Sequence, residues 1–600
     1  MHVPSMSTHF RPMIGQERTE QEDYKSTGPS AVGEDGSVDP GPWRGDPDGY
    51  IVHPMLRPKT VAHRQFQVDI AASCIEKNTL VVIPTGLGKT VIAALVIAEK
   101  MVRDEGRALF LAPSRPLADQ HSKTLSSLVA QGPVACLTGT EGRKKRGAKW
   151  KFYPIIAATP QVAYNDIRAG LLPKDFSVVV FDEAHRAVGD YAYVPLSKEL
   201  RDRCPSALFL GLTASPGHEL DHVEEVCRNL FVENVVIRSR EDADVAPYVQ
   251  DMTIEWIEVQ PTEVIVKVSG YLTKYYHERL HQIRKYGFLR SRKDSQVRIK
   301  NLNEVAGQVF ARQKQGRAPY LFQASRQVNL ARMALHTILC IERQGVDTFL
   351  KFIEPKLAKG RTKSDASFVK DPRVQRAYKA AKRWKGASHP KLEPLLKVIA
   401  EQTGRKPGSK VIVFAELRDT VEFLVSLIRS SGVRVERFTG QSSREGRKGM
   451  TQKQQREALR RFASAEFQVL CATSIAEEGL DVPQVDLVVF YEPVASDVRL
   501  IQRKGRTGRD SPGSVVILTT DRTADEGYLH AGIRREKRMK RMVKKLAEAP
   551  PRRVSREWEE LPQAEARERP RTGPKARTTQ RSLDEFREEP ELRPTRGHMR

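Results

Sequence analysis

The sequence predicts an α/β protein with two parallel-sheet domains and a mostly helical segment between them. Three observations carry this. Fully apolar runs recur at Thr79–Pro84 (TLVVIP), Ala108–Ala112 (ALFLA), Ile155–Ala158 (IIAA), Val178–Phe181 (VVVF) and Ala207–Leu212 (ALFLGL), each followed by a helical stretch. A second set stands at Val411–Phe414 (VIVF), Val469–Ala472 (VLCA), Leu487–Phe490 (LVVF) and Val515–Leu518 (VVIL). Runs that never alternate with polar residues are buried on both faces, as in a parallel sheet covered by helices. Between the two sets, roughly 270–385 holds no strand run and reads as helical.

In chain order, residues 1–50 hold 4 basic and 9 acidic residues among Gly, Pro and Ser, and are expected to be disordered. The first α/β domain is expected at 51–245. A helical, basic insert is expected at 246–385, opening on an extended stretch at Glu255–Val268. The second α/β domain is expected at 386–546, closed by the basic helix Ile533–Leu546 (IRREKRMKRMVKKL). Residues 547–600 are charged and Pro-rich, and a disordered tail is expected there.

Charge bounds the partners. The chain has 600 residues, with 100 Lys and Arg against 74 Asp and Glu, a net charge of +26. Such a field attracts polyanions, nucleic acid first among them. Residues 261–385 alone hold 28 Lys and Arg against 9 Asp and Glu, an excess of 19. Aromatics are interleaved there: Tyr271, Tyr275, Tyr276, Tyr286, Phe288, Phe310, Tyr320, Phe322 and Trp384. Basic helices bind phosphates without reading sequence, and aromatics stack on exposed bases. The plainer alternative is a solvated basic face around core aromatics. Six scattered cysteines with no C-x-x-C pair offer neither a zinc knuckle nor a disulfide framework. With no signal-type apolar core and no apolar run near the roughly 18 residues of a membrane span, a soluble cytoplasmic protein without membrane contact is expected.

The stretch Val81–Thr90 (VVIPTGLGKT) resembles a phosphate loop, G-x-x-x-x-G-K-[ST], with Ile83 where the first glycine belongs. Its context is right. The loop Pro84-Thr85-Gly86-Leu87-Gly88 lies between a strand and a helix, and Gly86 and Gly88 let backbone N–H groups converge on phosphates. Lys89 would meet the β- and γ-phosphates of ATP, with the Thr90 hydroxyl on Mg²⁺. One domain-length on, VVVFDEAHRA sets Asp182 and Glu183 at the C-terminal end of a strand, the edge where α/β sheets bind ligands. Asp182 can hold Mg²⁺, while Glu183 can orient and deprotonate the attacking water.

The string DEAH, Asp182–His185, resembles motif II of superfamily-two helicases, whose loops commonly read x-x-T-G-x-G-K-T, so Ile83 is ordinary there. Arg64-Gln65-Phe66-Gln67 resembles the adenine-reading segment, implicating Arg64 and Gln67. Ala112–Leu117, with Arg115, and Ala158–Gln161, with Thr159 and Gln161, resemble motifs that contact the nucleic-acid strand. Thr213-Ala214-Ser215 resembles the coupling motif, to which Thr213, Ser215 and His185 are assigned. In the second domain, Val411–Phe414 begins the fourth motif, and Ala472–Asp486 resembles the fifth, implying Gly479 and Asp481 at ATP and Thr473 at DNA. Gln502–Arg509 (QRKGRTGR) resembles the sixth, implying Arg506 and Arg509 as arginine fingers, with Gln502 and Arg503 in coupling. The resemblance implies two RecA-like motor domains that hydrolyse ATP with Mg²⁺ as they close.

Phe438–Arg509, Asp182–Tyr193 and Ile533–Leu546 are similar to archaeal Hef and the Fanconi-anaemia M-type translocases. That resemblance implies a thumb-like insert recognising branched DNA, 3′–5′ movement, and work in replication-fork repair and recombination at the nucleoid. Arg284, Lys285, Arg290, Arg292 and Lys293 are the candidate phosphate contacts of the insert. Archaeal Hef proteins often continue into an XPF-type nuclease, of which Glu536-Lys537-Arg538 is only a superficial echo. A stand-alone helicase is therefore expected, with any such nuclease on a separate polypeptide. Gln580–Phe586 (QRSLDEF) resembles a sliding-clamp-binding motif through Gln580, Leu583 and Phe586, although Arg587 replaces the second aromatic. Two rival readings remain: a double-stranded-RNA-stimulated ATPase of the Dicer/RIG-I type, which shares a helical insert, and a binding module with an inactive ATP site. The joint presence of Lys89, Asp182, Glu183, Arg506 and Arg509 argues against the second rival.

Overall fold

The computed structural model describes residues 42–548 apart from 131, 218, 290–292, 295–296, 317, 359–361, 442–448, 477–481, 495, 497–498, 500–502 and 509–511. The described residues all fall in one compact unit, Met1–Val554. The expected disordered tails lie outside the described residues except at 42–50 and at 547–548, where helix Ala524–Glu548 ends. In the first of these Trp43 is fully buried, and β1 (Arg44–Gly45) pairs antiparallel with β2 (Ile51–Val52), so the folded body begins ahead of residue 51.

The first sheet contains β3 (Thr79–Val82), β4 (Arg107–Leu111), β5 (Val134–Leu137), β6 (Ile155–Ala158), β7 (Phe176–Asp182), β8 (Leu208–Thr213) and β9 (Asn234–Ile237). Their order is β5-β6-β4-β7-β8-β3-β9, and every pairing is parallel. All residues of β3, β6 and β7 are buried, as their unbroken apolar runs require. Helix Lys89–Asp104 turns Ile92–Ala98 inward against this sheet, which fixes its N-terminus at the sheet's C-terminal edge.

The second sheet contains β10 (Met252–Val259), β11 (Val411–Phe414), β12 (Val435–Phe438), β13 (Val469–Ala472), β14 (Leu487–Phe490) and β15 (Gly513–Thr520). Its order is β10-β15-β14-β11-β13-β12, again parallel throughout. Here the structure differs from the boundary expected at 246. β10 pairs with β15 over eight residues, from Met252↔Gly513 to Val259↔Thr520, so it belongs to the second domain. The helical insert begins at Glu263 and is spliced into the second domain between β10 and β11. The expected extended stretch Glu255–Val268 accordingly divides into strand up to Val259 and helix from Glu263.

Among the described residues the insert contains the α-helices Glu263–Lys285, Ile299–Gln315, Pro319–Gln344, Val346–Ala358, Lys363–Lys370 and Pro372–Arg383. They enclose a core of their own that includes Leu272, Tyr275, Val305, Ile341, Phe349 and Phe368. Thr362 and Asp365 form a capping box at the start of Lys363–Lys370, and Asp371 caps Pro372–Arg383 by accepting from the Arg373 N–H (2.9 Å). The helix Ala524–Glu548 contains the expected Ile533–Leu546, but it closes more than the second domain. Met542 and Leu546 join the apolar core of the first, and Lys540 pairs with Glu241 (3.4 Å). Among the described residues no helix is long and apolar enough to cross a membrane.

Candidate nucleotide site and nucleic-acid face

The loop 84–88 leaves β3 and enters helix Lys89–Asp104 through two glycines in the left-handed region, Gly86 (φ 90°) and Gly88 (φ 82°). Gly88 is the N-cap, so no side chain answers the first N–H groups of the helix, and they remain available to an anion. Gln67 closes the loop from behind: it is buried, and its Nε2 donates to the Leu87 carbonyl (3.0 Å). Gln67, expected at adenine, thus also touches the loop 84–88. A Cβ at Gly88 would lie 2.4 Å from that same Nε2, in a backbone conformation that disfavours any side chain. Gly88→Ala should therefore displace the loop and lower ATP affinity at least tenfold, roughly the 1.4 kcal/mol of a modest backbone strain. Titration with a fluorescent ATP analogue checks this.

Asp182 is the last residue of β7, and its carbonyl accepts from the Tyr193 hydroxyl (2.7 Å), which also bonds the Leu111 carbonyl (3.0 Å). The tyrosine thereby ties the ends of β4 and β7 together. Glu183 follows with φ 50° and ψ 50°, a left-handed conformation that costs a non-glycine residue about 1–2 kcal/mol. Burial alone would raise its carboxyl pKa, but His185, Lys89 and Arg186 outweigh burial and hold it at about 2. The loop lysine and the DEAH glutamate thus act on each other across the sheet edge. Glu183 Oε2 is buried and makes no hydrogen bond of good geometry, standing 3.3 Å from His185 Nδ1. An aimed, ionised oxygen beside a lysine and a glycine-capped helix fits a nucleoside triphosphate and its attacking water.

Sequence reasoning missed His121. It sits on helix Arg115–Leu128, buried against the Phe110 ring with centroids 4.4 Å apart. Its Nε2 bonds Asp182 Oδ2 (3.0 Å), and its Nδ1 bonds Thr90 Oγ1 (3.4 Å). The imidazole therefore joins the two residues expected at Mg²⁺. The signal available was a histidine at an inward helix position beside Ala118 and Leu125. No group of three or more His, Cys, Asp or Glu suited to a metal occurs among the described residues. Magnesium held by one carboxylate, one hydroxyl and substrate phosphates does not need one.

Of the residues expected in coupling, His185, Thr213 and Ser215 come together. His185 Nδ1 bonds Thr213 Oγ1 (3.1 Å), which also accepts from the Ser215 N–H (3.2 Å). In the second domain Arg503 is buried, its guanidinium 4.7 Å from the Phe414 ring centroid and 5.3 Å from that of Phe490. Arg506 is buried as well; its N–H donates to the Arg503 carbonyl (3.2 Å), and its own carbonyl accepts from Val485 (3.1 Å). Arg64 lies half-buried with its guanidinium 5.3 Å over the Tyr248 ring. Gly479, Asp481, Gln502, Arg509, Arg290, Arg292 and the clamp-like Gln580, Leu583 and Phe586 lie outside the described residues.

Of the residues expected at nucleic acid, Arg115 and Gln161 are exposed, whereas Thr159 and Thr473 are buried. Thr473 donates its N–H to the Phe438 carbonyl (3.1 Å), which holds it at the end of β13. Arg115 lines a groove of about 820 Å³ with Lys123 and Lys149 on one side and Arg456 and Arg460 of the second domain on the other. On the insert, Lys285 and Lys293 are exposed, while Arg284 pairs with Asp294 (2.5 Å). Tyr275, Tyr276 and Phe288 are buried core residues, whereas Phe310, Tyr320, Phe322 and Trp384 are exposed.

Comparison with known proteins follows the same layout. Residues 64–223 match the DEAD/DEAH box helicase family, and residues 390–511 match the helicase conserved C-terminal domain. A Methanocaldococcus jannaschii protein provisionally named an ATP-dependent RNA helicase is 38% identical over 500 residues, covering 83% of this chain and 63% of the relative. The ATP-dependent DNA helicase mph1 of Neurospora crassa is 32% identical over 479 residues, 76% of this chain and 41% of its own. The chain thus spans less than two thirds of both relatives. The crystal structure of the Pyrococcus furiosus Hef helicase domain matches with a TM-score of 0.61 at 37% identity, over 80% of this chain and 100% of that domain.

Proposed function

The chain belongs to the DEAD/DEAH-box helicases of the Hef and Mph1 type, and from that premise we propose that it is an ATP-driven helicase or translocase of branched DNA. Forks and junctions met in replication-fork repair and recombination are its substrates, and its movement is 3′ to 5′. The observation that carries the reading is the insert, whose excess of 19 positive charges over 261–385 is built into the second motor domain between β10 and β11. A basic module fixed to one moving half of an ATPase turns closure into displacement along DNA.

ATP lies across the loop 84–88, with its phosphates on the open N–H groups of helix Lys89–Asp104 and on Lys89. Thr90 and Asp182 would hold Mg²⁺, which would supply neutralisation of phosphate charge. Glu183, ionised and aimed by its left-handed backbone, orients the attacking water. Arg506 and Arg509 reach the γ-phosphate when the second domain closes, and such fingers supply roughly 10³–10⁵ in rate. The contact of His185 with Thr213 carries the state of the water-orienting residue to the coupling motif. Arg64 and Gln67 border the base, and Gly479 and Asp481 complete the site from the second domain. A sliding clamp bound through Gln580, Leu583 and Phe586, and a separate XPF-type nuclease, are the partners this reading expects.

The M. jannaschii relative carries an RNA helicase name, so duplex RNA is the competing substrate. Measuring ATPase rate against single-stranded, duplex, forked and four-way DNA and against duplex RNA decides between them. Forked or four-way DNA should stimulate most; strongest stimulation by duplex RNA would overturn the branched-DNA reading. Neutralising Arg284, Lys285, Arg290, Arg292 and Lys293 should weaken fork binding far more than basal ATPase. Each lost phosphate contact should flatten the slope of log K against log salt by about 0.7–0.9.

A further inference from the structure

The insert is a bundle whose two ends differ. Helix Pro319–Gln344 has 26 residues and is about 39 Å long at 1.5 Å per residue. Its C-terminal end is fastened to the second motor domain, where Arg343 donates from Nε to Asp525 Oδ1 (2.9 Å) and from Nη2 to the Pro493 carbonyl (2.9 Å). Helix Glu263–Lys285 runs antiparallel beside it: Ser269 bonds Glu342 near the fastened end, and Arg279 Nη1 donates to Gln327 Oε1 (3.0 Å) farther out. Helix Ile299–Gln315 packs on Pro319–Gln344 and reaches it through residues 316–318, so the end of one and the start of the other share the far end. Arg312, 5.0 Å over the Phe288 ring, joins the close of Glu263–Lys285 to the same place.

That far end carries Phe310, Tyr320 and Phe322, exposed to 51%, 46% and 56%. In the neighbouring helix Glu263–Lys285 Tyr275 and Tyr276 are packed away, so the bundle can bury aromatics and here does not. Trp384 stands apart near the fastened end, where the Gly386 N–H donates to Asp347 Oδ1 (3.0 Å). The same end of the bundle carries exposed cations: Arg312, Lys285, and Lys314, whose Nζ is 4.9 Å from the Phe310 ring centroid. Charge selects the occupant. An apolar protein surface would meet uncompensated cations, whereas nucleobases on a phosphate backbone satisfy rings and cations together.

We infer that the far end of the insert is a base-stacking site, at which Phe310, Tyr320 and Phe322 receive unpaired nucleobases at a branch point. This deepens the branched-DNA reading and rests on it. Bases inside a continuous duplex are paired and hidden, and those at a branch are free, so stacking distinguishes the two where phosphate contacts cannot. The test uses the full chain and two forked DNAs, one natural and one abasic at the unpaired nucleotides of the branch. The wild type should bind the natural fork roughly 5- to 100-fold more tightly than the abasic one, the worth of one stacked base. The variant Phe310→Ala/Tyr320→Ala/Phe322→Ala, altered only at exposed positions, should bind both forks alike with an unchanged salt slope and unchanged DNA-free ATPase. A variant that keeps the wild-type ratio of natural to abasic affinity overturns the inference, as does a wild type that prefers forks to linear duplex yet ignores the missing bases. A wild type that binds fork and linear duplex equally sinks the branched-DNA reading itself, and this inference with it.

Discussion

Glu183→Gln should leave ATP binding near the wild-type level and stop turnover, with ATPase falling by about 10²–10⁴, the usual worth of one catalytic carboxylate. The amide is isosteric, so the loop 84–88 and the Gln67 contact behind it are undisturbed, and the phosphates keep Lys89 and the helix N-terminus. What is lost is the charge facing the water. The wild-type carboxyl, held at about 2 by His185, Lys89 and Arg186, protonates only as pH falls through that value. It is ionised throughout the working range, and the ratio of wild-type to variant rate should be flat between about pH 5 and 8. Lys89→Ala should instead lose binding as well as turnover, since Lys89 acts on Glu183 and is the residue proposed at the phosphates. Single-turnover hydrolysis with an independent binding titration separates the two variants; near-normal turnover by Glu183→Gln would show that another group activates the water.

The central strands were legible because burial on both faces leaves nothing but apolar residues to read. Ile155–Ala158, Val411–Phe414, Val469–Ala472 and Leu487–Phe490 have the expected bounds. The strands missed in the two large sheets, β5, β9 and β12, all lie at sheet edges. An edge strand has one paired neighbour and tolerates polar residues, and VERF at β12 or NVVI at β9 carries too weak a pattern to stand out. β10 is likewise an edge strand, and the sequence showed it only as part of an extended stretch, Glu255–Val268, opening the insert. Phosphate-loop and carboxylate residues were legible because their chemistry fixes residue type and spacing. His121 was not, because its role depends on a helix turning it toward Thr90 and Asp182, which only the packing shows.

Arg343→Ala should be the most destabilising single change in the insert, and it should separate DNA binding from DNA-stimulated hydrolysis. Arg343 is buried at the end of helix Pro319–Gln344, bonded to Asp525, to the Pro493 carbonyl and through Nη1 to Glu416 Oε2 (2.5 Å), with its guanidinium 4.7 Å from the Tyr528 ring centroid. Asp525 is fully buried, and its other oxygen accepts from Lys391 Nζ (2.6 Å), itself fully buried and bonded to the Tyr491 carbonyl (2.9 Å). Two cations thus meet at Asp525, a carboxylate that has no water to turn to. Removing Arg343 leaves Asp525 half-compensated and releases Glu416, whose carboxyl Arg343 holds below the usual range. Breaking such a buried pair costs about 3–5 kcal/mol, which denaturant unfolding should register. The functional consequence follows from position. Glu416 stands just past β11, Pro493 just past β14, and Asp525 in the first turn of helix Ala524–Glu548, so one guanidinium fastens the insert to three parts of the second motor domain. With the fastening gone, the basic far end still meets phosphates, and fork affinity should fall little. Closure of the second domain no longer drags the insert, and fork stimulation of ATPase should drop toward the DNA-free rate. Arg343→Lys, which keeps the charge but not the three-way fork of donors, should fall between. An Arg343→Ala protein as stable as the wild type and fully stimulated by forks would show that the insert moves independently of the motor.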